Sequence, residues 1–449
     1  MPLVDLFLFF LWVVVPLICF LVLRIGGMNF QNLSIPTFVV ISIFILQYIG
    51  FPILYQRWDD YRAEFVTDMH TLMLAWIGTS ISTLLLCVGA TIASTILGKQ
   101  HHQIEQSTSV RELPNYVVRR IYLLCAFCVG ILLLYVNSIG LENLAITAVI
   151  NQASQADVTS ARSMMGNAFE GGYHWYNFFM RDGLIFSTLV LFANRSANKD
   201  SISTWVLILM ACCAGFSLTM ATEKGLAVDF MISLFLMLVC VKYKGVVPIK
   251  LVFTLGLAIV GVLSAFYVLF MGDSDFYTAL VSIVSRGFTG SIQPIYHYLE
   301  YFPQHHDWLY GSSMPNPGGI FPFTPFNLTI NVMNFVYPEH YETGVVGTMP
   351  AIYWGEIYAN FGWPAVIIIP VYIGVGLSLI NYFVSKIKKT PISLALFVWL
   401  LIHYKNLSIT SLSTFIFDMK LFLMVAIYIV LTVPVFVGNF ATPDKQTKI

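Results

Sequence analysis

Apolar residues in this chain come in long unbroken stretches, and polar residues collect in the shorter segments between them. Stretches long enough to cross a hydrocarbon core of ~30 Å fall at about 5–23, 36–54, 70–97, 121–138, 178–194, 202–221, 226–241, 251–270, 360–385, 392–411 and 419–438. The pattern predicts an all-α polytopic membrane protein of about 11 (10–12) transmembrane helices, built as a single membrane-embedded domain over 1–449. The run from Phe7 to Leu23 lacks the basic flank and small-residue cleavage site of a signal peptide, so it is read as the first span. The sequence has no internal repeat.

Alternating these spans from an outside N-terminus puts Arg24, the Lys99–Arg120 loop, the Asn194–Asp200 turn, Lys242–Lys250 and Lys386–Lys389 on one side. That set gathers most of the short-loop Lys and Arg, which marks the side as cytoplasmic. The opposite side receives two long loops, 139–177 and 271–355. The second is rich in aromatics, Pro and Gly through YFPQHHDWLYGSSMPNPGGIFPFTPFNLT, which excludes a long helix and predicts a folded loop carrying short helices. Aromatic faces and planar polar groups suit a sugar; the same residues also suit an interfacial belt.

Composition agrees with the pattern. Of 449 residues, 58% are hydrophobic and 10% charged, and Lys plus Arg equals Asp plus Glu at 23 each. Mean hydropathy is +0.78. These values exclude an ordinary cytosolic enzyme, a disordered regulator and a nucleic-acid binder. All seven cysteines lie inside apolar runs, so neither a disulfide framework nor a zinc site is expected, and the Cys125–Cys128 pair reads as small apolar residues on a membrane helix.

With so few charges, their depth carries the information. Counting 1.5 Å per residue from Pro391 places His403 at ~18 Å and Lys405 at ~21 Å from the cytoplasmic end; Asp229, counted from Lys242, comes to ~20 Å. Arg181 and Asp182 open their helix from the outer side, Glu223 and Lys224 occupy a tight outer turn, and Glu356 precedes the helix after the second long loop. A secondary transporter would concentrate charge at the midplane. Here the charges favour the outer half, and Arg162 and Arg286 add to them, which suggests a basic pocket for phosphate or diphosphate. Arg286, following DSDFYTALVSIVS, is expected to end a short interfacial helix and face a cavity.

Three stretches resemble the Wzy-type oligosaccharide repeat-unit polymerases, the O-antigen and capsule polymerases of bacteria. One is Ser285-Arg286-Gly287-Phe288 followed by Gln293, Tyr296, Glu300-Tyr301-Phe302-Pro303 and Gly311. The second, Gly355-Glu356-Ile357-Tyr358-Ala359-Asn360-Phe361-Gly362, resembles a GE-x-Y-x-N-F-G pattern, and the third is the Thr222-Glu223-Lys224-Gly225 turn. His297 stands where an Arg-x10-Gly spacing in that family would put glycine. The resemblance implies a GT-C-like membrane glycosyltransferase of the bacterial inner membrane. It would move glycan from undecaprenyl diphosphate to the non-reducing end of an acceptor lipid-linked repeat unit at the periplasmic face. Its partners would be the lipid-linked donor and acceptor, membrane lipid, a chain-length regulator and a flippase, with no nucleic acid and no cofactor.

On that reading Arg286 and Lys224 bind the diphosphate, with Arg162 and Arg181 in support. Glu356, partly desolvated, is the candidate catalytic base, or else an ion-pair partner of Arg286 or a helix cap. Glu170, Tyr296, His306 and His403 are candidate sugar or acceptor contacts. Adjacent His305 and His306 with Asp307 point in different directions and are not expected to bind metal. The rival readings are an O-antigen ligase, which would give His306 more weight, a flippase or exporter of lipid-linked oligosaccharide, and a non-catalytic scaffold of an assembly complex.

Overall fold

The computed structural model describes residues 3–98, 112–151, 153–167, 173–197, 201–270, 275–339 and 347–433. Among these residues every element is helical, and the sole β feature is one antiparallel bridge between Asn32 and Val246. The helices are α1 (Leu3–Ile25), α2 (Ile35–Tyr55, through a π turn at Phe44–Tyr48), α3 (Met69–Leu97), α4 (Asn115–Ile139), α5 (Gln155–Asn167), α6 (Leu184–Ala197), α7 (Ser201–Thr219) and α8 (Lys224–Lys242). They continue with α9 (Ile249–Phe270), α10 (Phe276–Val284), α11 (Gly290–Tyr301), α12 (Leu328–Val336), α13 (Tyr353–Lys386), α14 (Pro391–Lys405) and α15 (Met419–Thr432).

Eight helices among the described residues are long and apolar enough to cross a membrane, and each coincides with a span read from the sequence. The chain is therefore an all-α multi-pass membrane protein. Phe253 and Leu257 on α9, Leu123 and Leu133 on α4 and Leu21 on α1 are exposed, as lipid-facing side chains are. The other three expected spans, 178–194, 202–221 and 392–411, are occupied by α6, α7 and α14 and are not among the eight. The first is divided by a π turn at Phe178–Gly183 holding Arg181 and Asp182, and α14 stops after 15 residues at Lys405. Nearly every α14 side chain is buried by other helices, so this element is a core helix of the bundle.

The tightest interface joins α3 to α13. A Cβ on Gly89 would lie 1.9 Å from the Val371 carbonyl oxygen, and one on Gly374 would lie 2.0 Å from that of Leu86. Only glycine lets the two backbones approach this closely, the small-residue packing that membrane helices use where no hydrophobic driving force exists between them.

The loops separate into two sets. At one end Val247 N–H donates to the Gln31 carbonyl at 2.7 Å, and Ile35 N–H donates to Asn381 Oδ1 at 3.0 Å. At the same end of the topology Arg120 binds the Val430 and Val433 carbonyls at 2.8 and 2.6 Å, a basic cap on the last turn of α15. At the other end, Asp68 N–H donates to the Tyr296 hydroxyl at 3.0 Å and Ile146 N–H to the Met220 carbonyl at 3.0 Å. This second set contains both long loops. Asp68 also caps α3; its contact with the Thr71 hydroxyl, offset by partial desolvation and helped by the His70 and Thr71 N–H groups, holds its carboxyl below the usual range.

Candidate functional site

The polar cleft lies at the end carrying the long loops. It encloses about 450 Å³, and its walls include Tyr61, Arg62, Gln293, Tyr337, Met349 and Ile409. Arg62 comes from the short connection between α2 and α3, where residues 57–68 hold Arg57, Asp59, Asp60, Arg62, Glu64 and Asp68. Asp59 caps the turn Asp60–Ala63 by accepting from Arg62 N–H at 3.2 Å, and its other oxygen accepts from the Thr289 hydroxyl. The backbone of Arg62 is thus tied to the start of α11. Its side chain lies over Tyr61, 5.1 Å from the ring centre, and donates through Nη1 to Gln293 Oε1. None of the ion pairs among the described residues uses Arg62, and its Nε is buried without a hydrogen-bond partner.

Of the two arginines, it is Arg62 and not the expected Arg286 that lines the cleft. Arg286 does follow a short helix, α10, as the sequence suggested, but it sits in the π turn Ser285–Thr289, is exposed and is not part of the cleft wall. The signal that could have found Arg62 was charge density: six charged side chains in the twelve-residue connection 57–68 of an otherwise charge-poor chain.

The GEIYANFG stretch has a structural explanation at every polar position. Glu356 lies in the first turn of α13, not before it, and is 1% exposed. Its Oε1 accepts from the Ser313 hydroxyl at 2.7 Å and its Oε2 from Ser413 N–H at 2.6 Å. Asn360 donates to Ser313 Oγ at 2.8 Å and accepts from Gly311 N–H at 2.8 Å. Leu309 and Tyr310 N–H groups bind the Ala359 and Asn360 carbonyls at 3.1 and 3.0 Å, and the Tyr358 hydroxyl reaches the Phe302 carbonyl at 3.2 Å. Gly362 has φ +68°, which releases the helix backbone where the Trp308 ring lies against it. Together these groups staple residues 302–313 and 413 onto α13. Glu356 makes no contact with Arg286 and is not in the cleft wall, so the geometry favours a brace over a base.

The buried charges toward the end bearing the long loops largely pair with one another. Lys405 meets Asp229 at 2.6 Å, and His403 Nε2 meets Asp418 at 2.5 Å while stacking on Trp399 at 4.7 Å. Arg181 forms a fork on Glu223 at 3.0 and 3.3 Å. Asp182 accepts from Trp399 at 3.0 Å and pairs with Lys420 at 3.2 Å. Arg181 and His403 are thereby committed to protein partners.

The remaining candidates do not converge on the cleft. Arg162 binds the Ala221 carbonyl at 3.0 Å and the Thr222 hydroxyl, closing the 219–223 turn, and Lys224 sits 3.2 Å above the centre of the Tyr267 ring. Tyr296 is buried with its hydroxyl against Asp68. His306 is confined by Tyr301, with ring centres 5.9 Å apart, and by the Asp307 carbonyl at 2.7 Å. Glu170 lies outside the described residues. Among the described residues no group of three or more His, Cys, Asp or Glu could hold a metal ion. No protein-family model, curated protein or solved structure matches this chain.

Proposed function

We propose that this protein is a membrane glycosyltransferase of the repeat-unit polymerase type, with about eleven spans in a GT-C-like arrangement, working at the periplasmic face of a bacterial inner membrane. The observation that carries the reading is the cleft itself: an arginine that no ion pair among the described residues uses, two tyrosine rings and a planar amide beside it, at the end of the bundle that bears the long loops. A guanidinium suits a diphosphate, and tyrosine faces suit a sugar ring. In the reaction, the bond between the donor sugar's anomeric carbon and the diphosphate oxygen breaks and the diphosphate keeps the electron pair. An acceptor hydroxyl oxygen bonds to that carbon, and its proton passes through solvent to the departing diphosphate. Arg62 stabilises the charge that develops on the leaving diphosphate.

Purified protein in liposomes, given lipid-linked repeat units, is expected to lengthen them with no ATP or nucleotide sugar, because the donor already carries its activated leaving group. Arg62→Ala should abolish lengthening. Units that change leaflet but not length would replace the polymerase with an exporter of the same lipid.

A further inference from the structure

The cleft arginine is one end of a hydrogen-bonded chain that runs back along α11. Gln293 Oε1 accepts from Arg62, and Gln293 Nε2 lies 3.1 Å from the Tyr337 hydroxyl and 3.4 Å from His297 Nε2. His297 Nδ1 in turn lies 3.0 Å from Glu300 Oε2. Gln293 and His297 are 1% and 4% exposed, and Glu300 reaches the surface. The spacings of four and three residues put all three side chains on one face of the helix.

Chemistry fixes the direction of every bond in the chain. A guanidinium only donates, so the amide oxygen of Gln293 must face Arg62. Its NH2 then faces Tyr337 and His297, and His297 Nε2 must accept. The imidazole proton therefore sits on Nδ1, where the Glu300 carboxylate accepts it. With the amide reversed, its NH2 would confront the guanidinium and its oxygen would confront the lone pair of Nε2. A buried amide held at both ends has one orientation.

We propose that Glu300, His297 and Gln293 form a one-way relay that holds Arg62 in the cleft for a phosphate-bearing lipid headgroup, with His297 as the positioning residue. None of the three needs to touch the ligand: Glu300 sets the tautomer, the tautomer sets the amide, and the amide aims the guanidinium. The chain also explains why histidine stands at 297, since this position supplies both the acceptor for Gln293 and the donor for Glu300.

The inference rests on reading the cleft as a diphosphate site, so binding is measured apart from turnover. Inorganic pyrophosphate is titrated into the full-length protein in maltoside micelles, which carry no phosphate of their own. Saturable binding is expected, with undecaprenyl diphosphate displacing the pyrophosphate, and Arg62→Ala should remove it. His297→Phe deletes both relay bonds of the imidazole, of which the neutral one to Gln293 is the one that holds the amide on Arg62, and should weaken binding about fivefold. His297→Gln returns an acceptor at the same place and should restore most of the affinity, which separates positioning from packing. In a Gln293→Leu background, His297→Phe should have no further effect. Thermal midpoints of all variants are taken alongside. Equal losses from His297→Phe with and without Gln293, or no pyrophosphate binding by the unaltered protein, would overturn the relay; pyrophosphate that undecaprenyl diphosphate fails to displace would overturn the lipid ligand. Glycan lengthening that ignores His297→Phe would remove the relay and leave the polymerase reading standing. Pyrophosphate binding with the expected coupling, but no lengthening, would do the reverse.

Discussion

Glu356 is where the sequence and the structure propose different jobs, and substitution separates them. Its carboxylate accepts two hydrogen bonds, from the Ser313 hydroxyl and from Ser413 N–H, in a place almost free of solvent. A hydrogen bond to a charged group contributes about 1.5–3 kcal/mol net, and a buried donor left without a partner costs about 1–3 kcal/mol. Glu356→Ala removes one acceptor group serving two donors, and one of those, Ser413 N–H, cannot turn away. The expected loss is about 3–5 kcal/mol. Glu356→Gln keeps an oxygen for Ser413 N–H. Its NH2 would face Ser313 Oγ, which can accept from it as well as from Asn360, but an NH2 cannot accept, so the Ser313 hydroxyl proton must find another partner. The loss should be about 1 kcal/mol. Thermal unfolding in detergent, followed by tryptophan fluorescence, and the rate of proteolysis within 302–327 report the brace; glycan lengthening reports the chemistry. A brace predicts that turnover follows the folded fraction, with Glu356→Ala and Ser313→Ala non-additive in stability. If Glu356→Gln were as stable as the unaltered protein and lost a hundredfold or more in turnover, the carboxylate would be a general base and the brace argument would fail.

Removing one partner of the buried Lys405–Asp229 pair, as in Lys405→Met, should cost about 3–5 kcal/mol, and the double change Lys405→Met with Asp229→Leu should recover much of it, read from thermal midpoints; additive losses would show that the two charges do not depend on each other. Arg181→Ala should cost far less, about 1 kcal/mol or under, because Glu223 is 39% exposed and screened. Cysteines placed at Ser160 and Ser312 should react with a membrane-impermeant thiol reagent added outside intact cells; reaction only after the inner face is opened would invert the orientation. In the pyrophosphate titration Arg286→Ala should leave affinity within about twofold, whereas Arg62→Ala removes binding; the opposite order would return the site to the position suggested by the family resemblance.

The eight long helices were legible in the sequence because a bilayer imposes a one-dimensional rule: about twenty apolar residues in a row, wherever the rest of the chain goes. The same rule made the depths of Lys405 and Asp229 countable, while their pairing appears only in the packed structure. Short helices in the 271–355 loop were legible from its Pro, Gly and aromatic residues. What the rule cannot report is which residues meet. The close approach of α3 and α13 at Gly89 and Gly374 sets how the bundle closes, and that closure brings Arg62 from one connection beside Gln293, 231 residues away. Arg286 stands exposed in a five-residue π turn and outside the cleft wall, which the hydrophobic pattern does not report. Glu356 looked like a base because a carboxylate near a membrane surface is costly; only tertiary structure supplied the serine hydroxyl and backbone N–H that give the charge a structural use. Apolar patterning is fixed by each residue's transfer from water to lipid, a property of the residue alone. A polar site is fixed by directional bonds between residues far apart in the chain, and their direction exists only once the helices have packed.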